Sequence, residues 1–227
     1  MESSFYSSDS AIPTGGYYYI TPIILNAIAS LQPQPKRVLD VGCGNGAMAK
    51  RLKDSGFEVV GIDPSPEQLV HARASYPDVR FEAGGVYDDP KALGLAGFDL
   101  IICEEVVEHL YYPRELPKFA KAVLNQNGHL ILTTPYYGYL RNLLLAIFNR
   151  WDHHLNPFWE HGHIKLFSKR NLYRLVEEGG FSVTKFLGAG HIPLFGTAKI
   201  SIPYLWQNQV IVAALDHRQL HITIPAG

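Results

Sequence analysis

The sequence lacks most features that mark secreted, membrane-spanning or nucleic-acid-binding chains. It has two cysteines among 227 residues, and its 20 Lys and Arg residues nearly balance 21 Asp and Glu residues, for a formal net charge of -1. No leader-like segment, repeat or low-complexity tract occurs, and no uncharged apolar run approaches the roughly 20 residues of a membrane span. We therefore expect a cytoplasmic protein without a nucleic-acid partner.

The two cysteines, Cys43 and Cys103, each fall within or at the end of a predicted core strand. Both thiols are therefore predicted to be reduced and structural. Hydrophobic residues make up 47% of the chain, which at this length is enough to bury the core of one α/β domain. We expect a single domain, 1–227, with an N-terminal arm and helix (1–32) and a substrate-cap insertion (136–167).

A glycine-rich turn organises the rest of the chain. The segment Val38-Leu39-Asp40-Val41-Gly42-Cys43-Gly44-Asn45-Gly46 places a short apolar strand, an acidic residue and three alternating glycines directly before a helical pattern. Glycines allow positive φ and let a ligand lie against the main chain, while the unpaired amides of a helix N-terminus favour acceptor groups. The turn therefore predicts a nucleotide-type cofactor site.

The spacing of the glycines and the acidic residue before them distinguish between cofactors. A dinucleotide site requires Gly-x-Gly-x-x-Gly, whereas this turn reads Gly-x-Gly-x-Gly. Asp40 would repel a pyrophosphate, but it suits a ligand that carries an ammonium and a sulfonium. A nicotinamide-dependent oxidoreductase is the alternative from another class, because Asp63 would also suit its ribose.

The pattern of residues 38–46 resembles the first motif of the class I S-adenosylmethionine-dependent methyltransferases. The resemblance implies a Rossmann-like α/β fold with a seven-stranded, mostly parallel sheet, one antiparallel edge strand, helices on both faces and a helical, aromatic insertion after strand 5. It also implies S-adenosyl-L-methionine as the cofactor, bound by residues of the turn and of the neighbouring strand ends: Asp40, Gly42, Cys43, Gly44, Gly46, Asp63, Val86 and Glu104.

Two of these residues have particular expected roles. Asp63 ends the second strand about 20 positions after the turn, where a carboxylate can accept both ribose hydroxyls; it is also a candidate cap for the helix opened by Pro64-Ser65-Pro66. In the resembling methyltransferases an acid often meets the adenine amino group after strand 3, but Gly85 occupies that position here. We assign the adenine contact to Val86 or Asp88.

A second informative stretch follows the fourth strand at Glu104-Glu105-Val106-Val107-Glu108-His109. Helical spacing would place Glu105, Glu108 and His109 on one face. Two carboxylates and an imidazole suit a divalent cation that keeps open positions for substrate oxygens. Without a metal, His109 would act as a base. All three are candidate catalytic residues.

A pair of histidines, His161 and His163, precedes a helix start at Ser168. Together with the Glu-x-x-Glu-His pattern, this arrangement resembles two groups: the ubiquinone-pathway O-methyltransferases and the metal-dependent methyltransferases that act on the terminal 2'-hydroxyl of small RNAs. The resemblance implies a divalent metal (Mg, Mn or Zn) held by Glu105, Glu108, His109 and His163.

Two segments are expected to surround the acceptor. A predicted apolar helix over residues 139–151 could cap an apolar acceptor, make peripheral contact with a membrane, or roof the core. Residues 1–19 are predicted to form a mobile arm before a helix at Thr21–Leu31, with Tyr17-Tyr18-Tyr19 either closing over a pocket or packing on the core.

The expected activity is O-methylation of a small-molecule hydroxyl, first of a phenol or catechol and second of a sugar. Cys103-Glu104-Glu105 stands where base N-methyltransferases usually carry Asn/Asp-Pro-Pro-Tyr, which argues against that reaction. The alternatives are an RNA ribose 2'-O-methyltransferase and a non-catalytic cofactor-binding subunit.

Overall fold

A computed structural model describes residues 16–151, 158, 162–190, 192–193, 199–200 and 207–216. The N-terminal arm up to residue 15, His161, and residues 152–157 of the predicted insertion lie outside the described residues. Within them, no helix is both long enough and apolar enough to cross a membrane.

The described chain alternates strands and helices over most of its length. The strands are β1 (Arg37–Val41), β2 (Glu58–Asp63), β3 (Arg80–Ala83), β4 (Phe98–Glu104), β5 (Leu124–Pro135), β6 (Phe181–Ala189), β7 (Ile192–Pro193), β8 (Lys199–Ile200) and β9 (Asn208–Leu215). The helices are α1 (Tyr17–Ala29), α2 (Ala47–Asp54), α3 (Pro66–Ser75), α4 (Glu115–Val123), α5 (Tyr139–Ile147) and α6 (Lys169–Glu178), with a 3-10 turn at Val107–His109.

Seven strands form one sheet in the order β3-β2-β1-β4-β5-β9-β6. Strand β9 pairs antiparallel with both of its neighbours, so it is the reversed strand and lies between β5 and the edge strand β6. The predicted seven-stranded, mostly parallel sheet is confirmed. The strand order changes direction between β1 and β4, and ligands of doubly wound sheets bind beyond the carboxyl ends of the strands at such a point.

The core covers both faces of the sheet. Four successive residues of β4, Leu100 to Cys103, are fully buried, as expected for a central parallel strand that is packed on both sides. Cys43 and Cys103 are buried and free, in agreement with the predicted structural role.

Helix α1 begins earlier than the sequence suggests. Pro22 predicts a helix that begins at Thr21, but α1 starts at Tyr17 and Pro22 lies inside it. Tyr17 to Tyr19 therefore do not belong to an irregular arm, and that prediction is wrong. Burial of Ile20 and a hydrogen bond from the Tyr19 hydroxyl to Asn208 supply tertiary contacts that extend the helix past the proline.

Helix α5 leaves its apolar side chains exposed. It ends at Ile147 rather than at Trp151. The side chains of Ile147 and Phe148 are 63% and 66% exposed, and Leu143 and Leu144 are also partly exposed. Of the three roles predicted for this helix, roofing the core does not agree with these exposures.

Candidate functional site

The glycine turn depends on three residues whose backbone has positive φ. Gly42, Gly44 and Gly46 all have positive φ, at 74°, 50° and 83°. A Cβ atom at Gly42 or Gly46 would overlap the side chain of Val106 or Phe81, whereas one at Gly44 would meet no atom within 4 Å. The first and third glycines are therefore required for packing, and the middle one faces open space that a ligand can occupy.

Asp63 ties the turn to the end of β2. Its Oδ2 accepts the Gly44 N–H at 2.9 Å, and its Oδ1 accepts the Ser65 N–H at 2.8 Å. Burial raises the pKa of Asp63, and these two backbone donors oppose the rise. Each oxygen keeps a second lone pair, so the predicted ribose contact is chemically open. The predicted capping role is wrong, because the Ser65 hydroxyl accepts the Gln68 N–H and caps α3.

Asp40 is the most isolated carboxylate of the turn. It is 2% exposed, and among the described residues no donor reaches its Oδ2. Burial, and then the charge of Asp63, raises the pKa of Asp40 to about 7, while the Ala49 N–H opposes the rise. A buried anion with an open oxygen is costly unless a cation pairs with it. The residue thus fits a ligand that carries an ammonium and a sulfonium.

The other predicted cofactor residues surround this carboxylate or lie in the core. Burial, then Asp40 and Glu105, raises the pKa of Glu104 to about 8 at the end of β4. The Cys43 thiol is buried next to the turn, and burial raises its pKa. Val86 is buried in the larger apolar cluster, while Asp88 accepts the Gly85 N–H at 2.8 Å. The adenine contact stays a prediction.

The predicted helix that would carry Glu105, Glu108 and His109 is wrong. Only one 3-10 turn, Val107–His109, forms, and Glu105 precedes it in the left-handed region with φ of 55°. Glu105 accepts hydrogen bonds from the Thr133 hydroxyl and the Asn208 side-chain amide. It does not join the candidate metal cluster found among the described residues.

That cluster consists of Glu108, His109 and His163, whose ligand atoms lie within 4.8 Å of one another. Two backbone hydrogen bonds bring the distant segment to the 3-10 turn: the N–H groups of Ile164 and Lys165 donate to the Glu108 carbonyl oxygen at 3.0 and 2.9 Å. His163 Nε2 then lies 3.9 Å from Glu108 Oε1. Three of the four predicted metal ligands are thus brought together.

The donor atoms of the cluster suit a divalent cation. The carbonyl oxygen of Gly162 lies 3.1 Å from His109 Nδ1 and can only accept, so Nδ1 carries the proton and the lone pair of the neutral ring lies on Nε2. The Thr134 hydroxyl donates to Glu108 Oε2 at 3.0 Å, while Oε1 has no hydrogen-bond partner among the described residues. Burial, and then Glu105, raises the pKa of Glu108 well above its usual range.

Sequence reasoning missed the polar partners of the two glutamates. Thr133 and Thr134 lie near the end of β5, and the strand register places Thr133 beside Glu104. Polar residues near the end of a predicted strand were the available signal. Asn208 begins β9 and pairs with Pro135. It lies 103 positions from Glu105, and no local pattern marked it.

Comparison with known proteins agrees with this geometry. A family model described as a methyltransferase domain matches residues 17–185. A ubiquinone biosynthesis O-methyltransferase from Ralstonia nicotianae is 28% identical over 199 residues, which is 82% of this chain and 82% of the relative.

Two solved structures show the same fold at low identity. A putative methyltransferase in complex with a Haloferax volcanii methyltransferase activator has a TM-score of 0.65 and 18% identity over 89% of this chain and 90% of that chain. Magnesium protoporphyrin IX methyltransferase from Synechocystis, with bound SAH, has a TM-score of 0.63 and 14% identity over 87% of this chain and 82% of that chain.

The family match spans most of the 227 residues. It agrees with the Gly-x-Gly-x-Gly turn, the strand order and the isolated Asp40 carboxylate, and it favours S-adenosylmethionine over a nicotinamide cofactor. The chain belongs to the methyltransferase-domain family and is an S-adenosylmethionine-dependent methyltransferase.

Proposed function

We propose that this enzyme methylates a hydroxyl oxygen of a small-molecule acceptor and that Glu108, His109 and His163 hold a divalent metal beside that oxygen. The observation that carries the proposal is the Glu108 carboxylate, which is fully buried and has, within the part of the chain that the structure describes, an unpartnered oxygen next to two imidazoles. A carboxylate with two histidines is a common ligand set for divalent metals.

The chemistry requires a positioned nucleophile and a place for its proton. The sulfonium methyl group is already electrophilic, so the protein must align the acceptor oxygen and remove its proton. A divalent cation at this site would lower the pKa of the acceptor hydroxyl and fix its direction. Thr134 orients Glu108 by donating to Oε2, and the Gly162 carbonyl orients the His109 ring by accepting from Nδ1.

The choice of acceptor rests on the relatives and on charge. The Ralstonia relative is named for O-methylation in ubiquinone biosynthesis, which favours a phenol or catechol, and a sugar hydroxyl is the second choice. A formal net charge of -1 gives little support to an RNA acceptor, whose phosphates require cationic side chains.

We further infer that α5 meets an apolar acceptor at a membrane surface. Tyr139, Leu143 and Ile147 on this short helix, and Phe148 directly after it, are exposed apolar or aromatic side chains. Residues 136–151 contain two arginines and no acidic residue. An apolar face with flanking cations is typical of helices that lie on anionic bilayers.

The test is calorimetric titration of S-adenosylhomocysteine, with bound-metal analysis, before and after EDTA and after addition of Mg²⁺, Mn²⁺ or Zn²⁺. Methyl transfer to a catechol, a sugar and a small RNA is assayed under the same conditions. We expect S-adenosylhomocysteine to bind under every condition and the catechol to be methylated only when metal is present. Turnover that persists in EDTA would mean that His109 takes the proton of the acceptor hydroxyl without a metal. Methylation of RNA alone would replace the small-molecule proposal.

A further inference from the structure

Glu105 is held by side chains from two strands that are distant in sequence. The Thr133 hydroxyl, on β5, donates to Oε1 at 2.8 Å, and the side-chain amide of Asn208, the first residue of β9, donates to Oε2. Each carboxylate oxygen therefore has its own donor. This arrangement differs from that of Glu108, whose Oε1 is open among the described residues.

The backbone of Glu105 is constrained by the same neighbour. Its N–H lies 3.3 Å from the Thr133 carbonyl oxygen and 3.1 Å from the Thr133 hydroxyl oxygen. A glutamate with φ of 55° is uncommon and persists where the surroundings impose it. Backbone and side chain together fix Glu105 against β5, between the end of β4 and the 3-10 turn.

The contacts continue from Glu105 to helix α1. The Tyr19 hydroxyl donates to Asn208 Oδ1 at 2.7 Å. A carboxylate only accepts, so the Asn208 nitrogen must face Glu105 and its oxygen must face Tyr19. Asn208 thus connects the end of β4 to the first turn of α1, at the carboxyl edge of the sheet.

The same turn of α1 lies near the cofactor side of that edge. Burial raises the pKa of the Tyr17 hydroxyl, and the charges of Arg51 and Glu104 lower and raise it respectively. Arg51 belongs to α2, which follows the glycine turn, and Glu104 ends β4. Tyr17 also packs against the apolar cluster that includes Cys43 of the glycine turn and Met48 of α2, so the start of α1 and the glycine turn share one packed region.

We propose that Glu105 is a positioning residue, which holds the first turn of α1 over the carboxyl edge through Asn208 and Tyr19. The ligand enclosed by this turn is the cofactor, and the expected effect on ligand dissociation rests on the assignment of S-adenosylmethionine to the glycine turn. With the contacts intact, α1 bounds the cofactor cleft and slows ligand escape; without them, the first turn of α1 opens locally.

The test is hydrogen exchange of the amides of Ile20, Thr21, Ile23 and Ile24 in the ligand-free protein, together with the dissociation rate of S-adenosylhomocysteine. Asn208→Asp places two carboxylates face to face, and Tyr19→Phe removes only the outer contact. Each is expected to speed exchange at these amides about tenfold and dissociation about fivefold. Tyr18→Phe is the matched control, because it removes a hydroxyl from the same turn on a side chain that is 65% exposed.

Rescue separates a specific contact from general loss of structure. In the double variant Glu105→Gln with Asn208→Asp, the amide introduced at position 105 can donate to the carboxylate at 208 and still accept from Thr133. Exchange and dissociation should return to within about twofold of the parent values, as coupled residues do. Glu105→Gln alone should keep the metal content of the parent.

Three results would overturn the proposal: a double variant that exchanges as fast as Asn208→Asp, a Tyr19→Phe variant that behaves as the parent, or loss of metal in Glu105→Gln. Failure of the parent protein to bind S-adenosylhomocysteine would contradict the cofactor assignment instead. The exchange comparison uses no ligand, so it would still decide whether Glu105 holds α1.

Discussion

The carboxyl edge of the sheet carries two pairs of acidic residues with the same difference in hydrogen bonding: one member accepts at both carboxylate oxygens, and the other does not. At β1 and β2, Asp63 is satisfied by two backbone N–H groups, while Asp40 keeps an open oxygen among the described residues. After β4, Glu105 is satisfied by two side chains, while Glu108 has an oxygen that no donor of the described segments reaches. One member of each pair positions the chain, and we propose that the other faces a cationic ligand.

The two pairs differ in where their partners come from. Asp63 is satisfied by Gly44 and Ser65, whose N–H groups belong to the glycine turn and to the residue two positions on. Glu105 depends on Thr133 and Asn208, on strands β5 and β9. The first arrangement lies within one βαβ unit, whereas the second requires strands β5 and β9 of the sheet.

Removing the charge of Asp40 is expected to have the largest effect. Asp40→Asn should weaken S-adenosylhomocysteine binding about 100-fold, close to 3 kcal/mol, because the variant loses the buried carboxylate that we expect to pair with the ligand ammonium. Titration calorimetry measures this, with Asp78→Asn as a control at an exposed acid. An affinity within threefold of the parent would mean that Asp40 does not face the cofactor.

This difference in partners explains which parts of the site could be predicted from the sequence. The glycine turn, the strand before it and Asp63 lie within one βαβ unit, so spacing alone predicts their geometry. The i, i+3 spacing predicts a helix face for Glu105, and this spacing is a local rule. The rule fails here because Thr133 and Asn208 hold Glu105 in the left-handed region. Asn208 could not be found, since the register of β9 on β5 is set by the whole sheet.

The pH dependence of stability should distinguish Asp40 from satisfied acids. Its folded pKa of about 7 lies above its unfolded value, so the folded state binds the extra proton and the free energy of unfolding falls as pH rises from about 4 to 7. Between pH 5 and 7 this amounts to about 2 kcal/mol. Asp40→Asn should flatten the curve in denaturant unfolding.

The free energy of unfolding of Asp40→Asn could instead fall with pH as steeply as that of the parent. That result would mean that other acids at the carboxyl edge, such as Glu104, cause the pH dependence. The affinity for the cofactor should change with pH in the opposite direction to the stability. Because a cationic ligand requires the ionised carboxylate, the affinity of the parent for S-adenosylmethionine should rise as pH passes through 7.

Glu108→Gln should show that the two pairs serve different ligands. We expect at least about a tenfold loss of metal affinity, since one ligand of the cluster loses its charge, and S-adenosylhomocysteine affinity within about threefold of the parent. Metal analysis and calorimetry measure the two effects, with Glu115→Gln as the control at a partly exposed acid of α4. Asp40→Asn should give the opposite pattern, and loss of both ligands in either variant would contradict separate sites.

The smallest effect is expected from the middle glycine of the turn. Gly44 and Gly56 both have positive φ, at 50° and 95°, and an added Cβ at either position meets nothing within 4 Å. Gly44→Ala and Gly56→Ala should therefore each cost about 1 kcal/mol of stability, through backbone strain alone. Only Gly44→Ala should also weaken S-adenosylhomocysteine binding, because its methyl group would occupy the space that the ligand needs. Equal affinities in the two variants would show that the open space beside Gly44 belongs to solvent rather than to the cofactor.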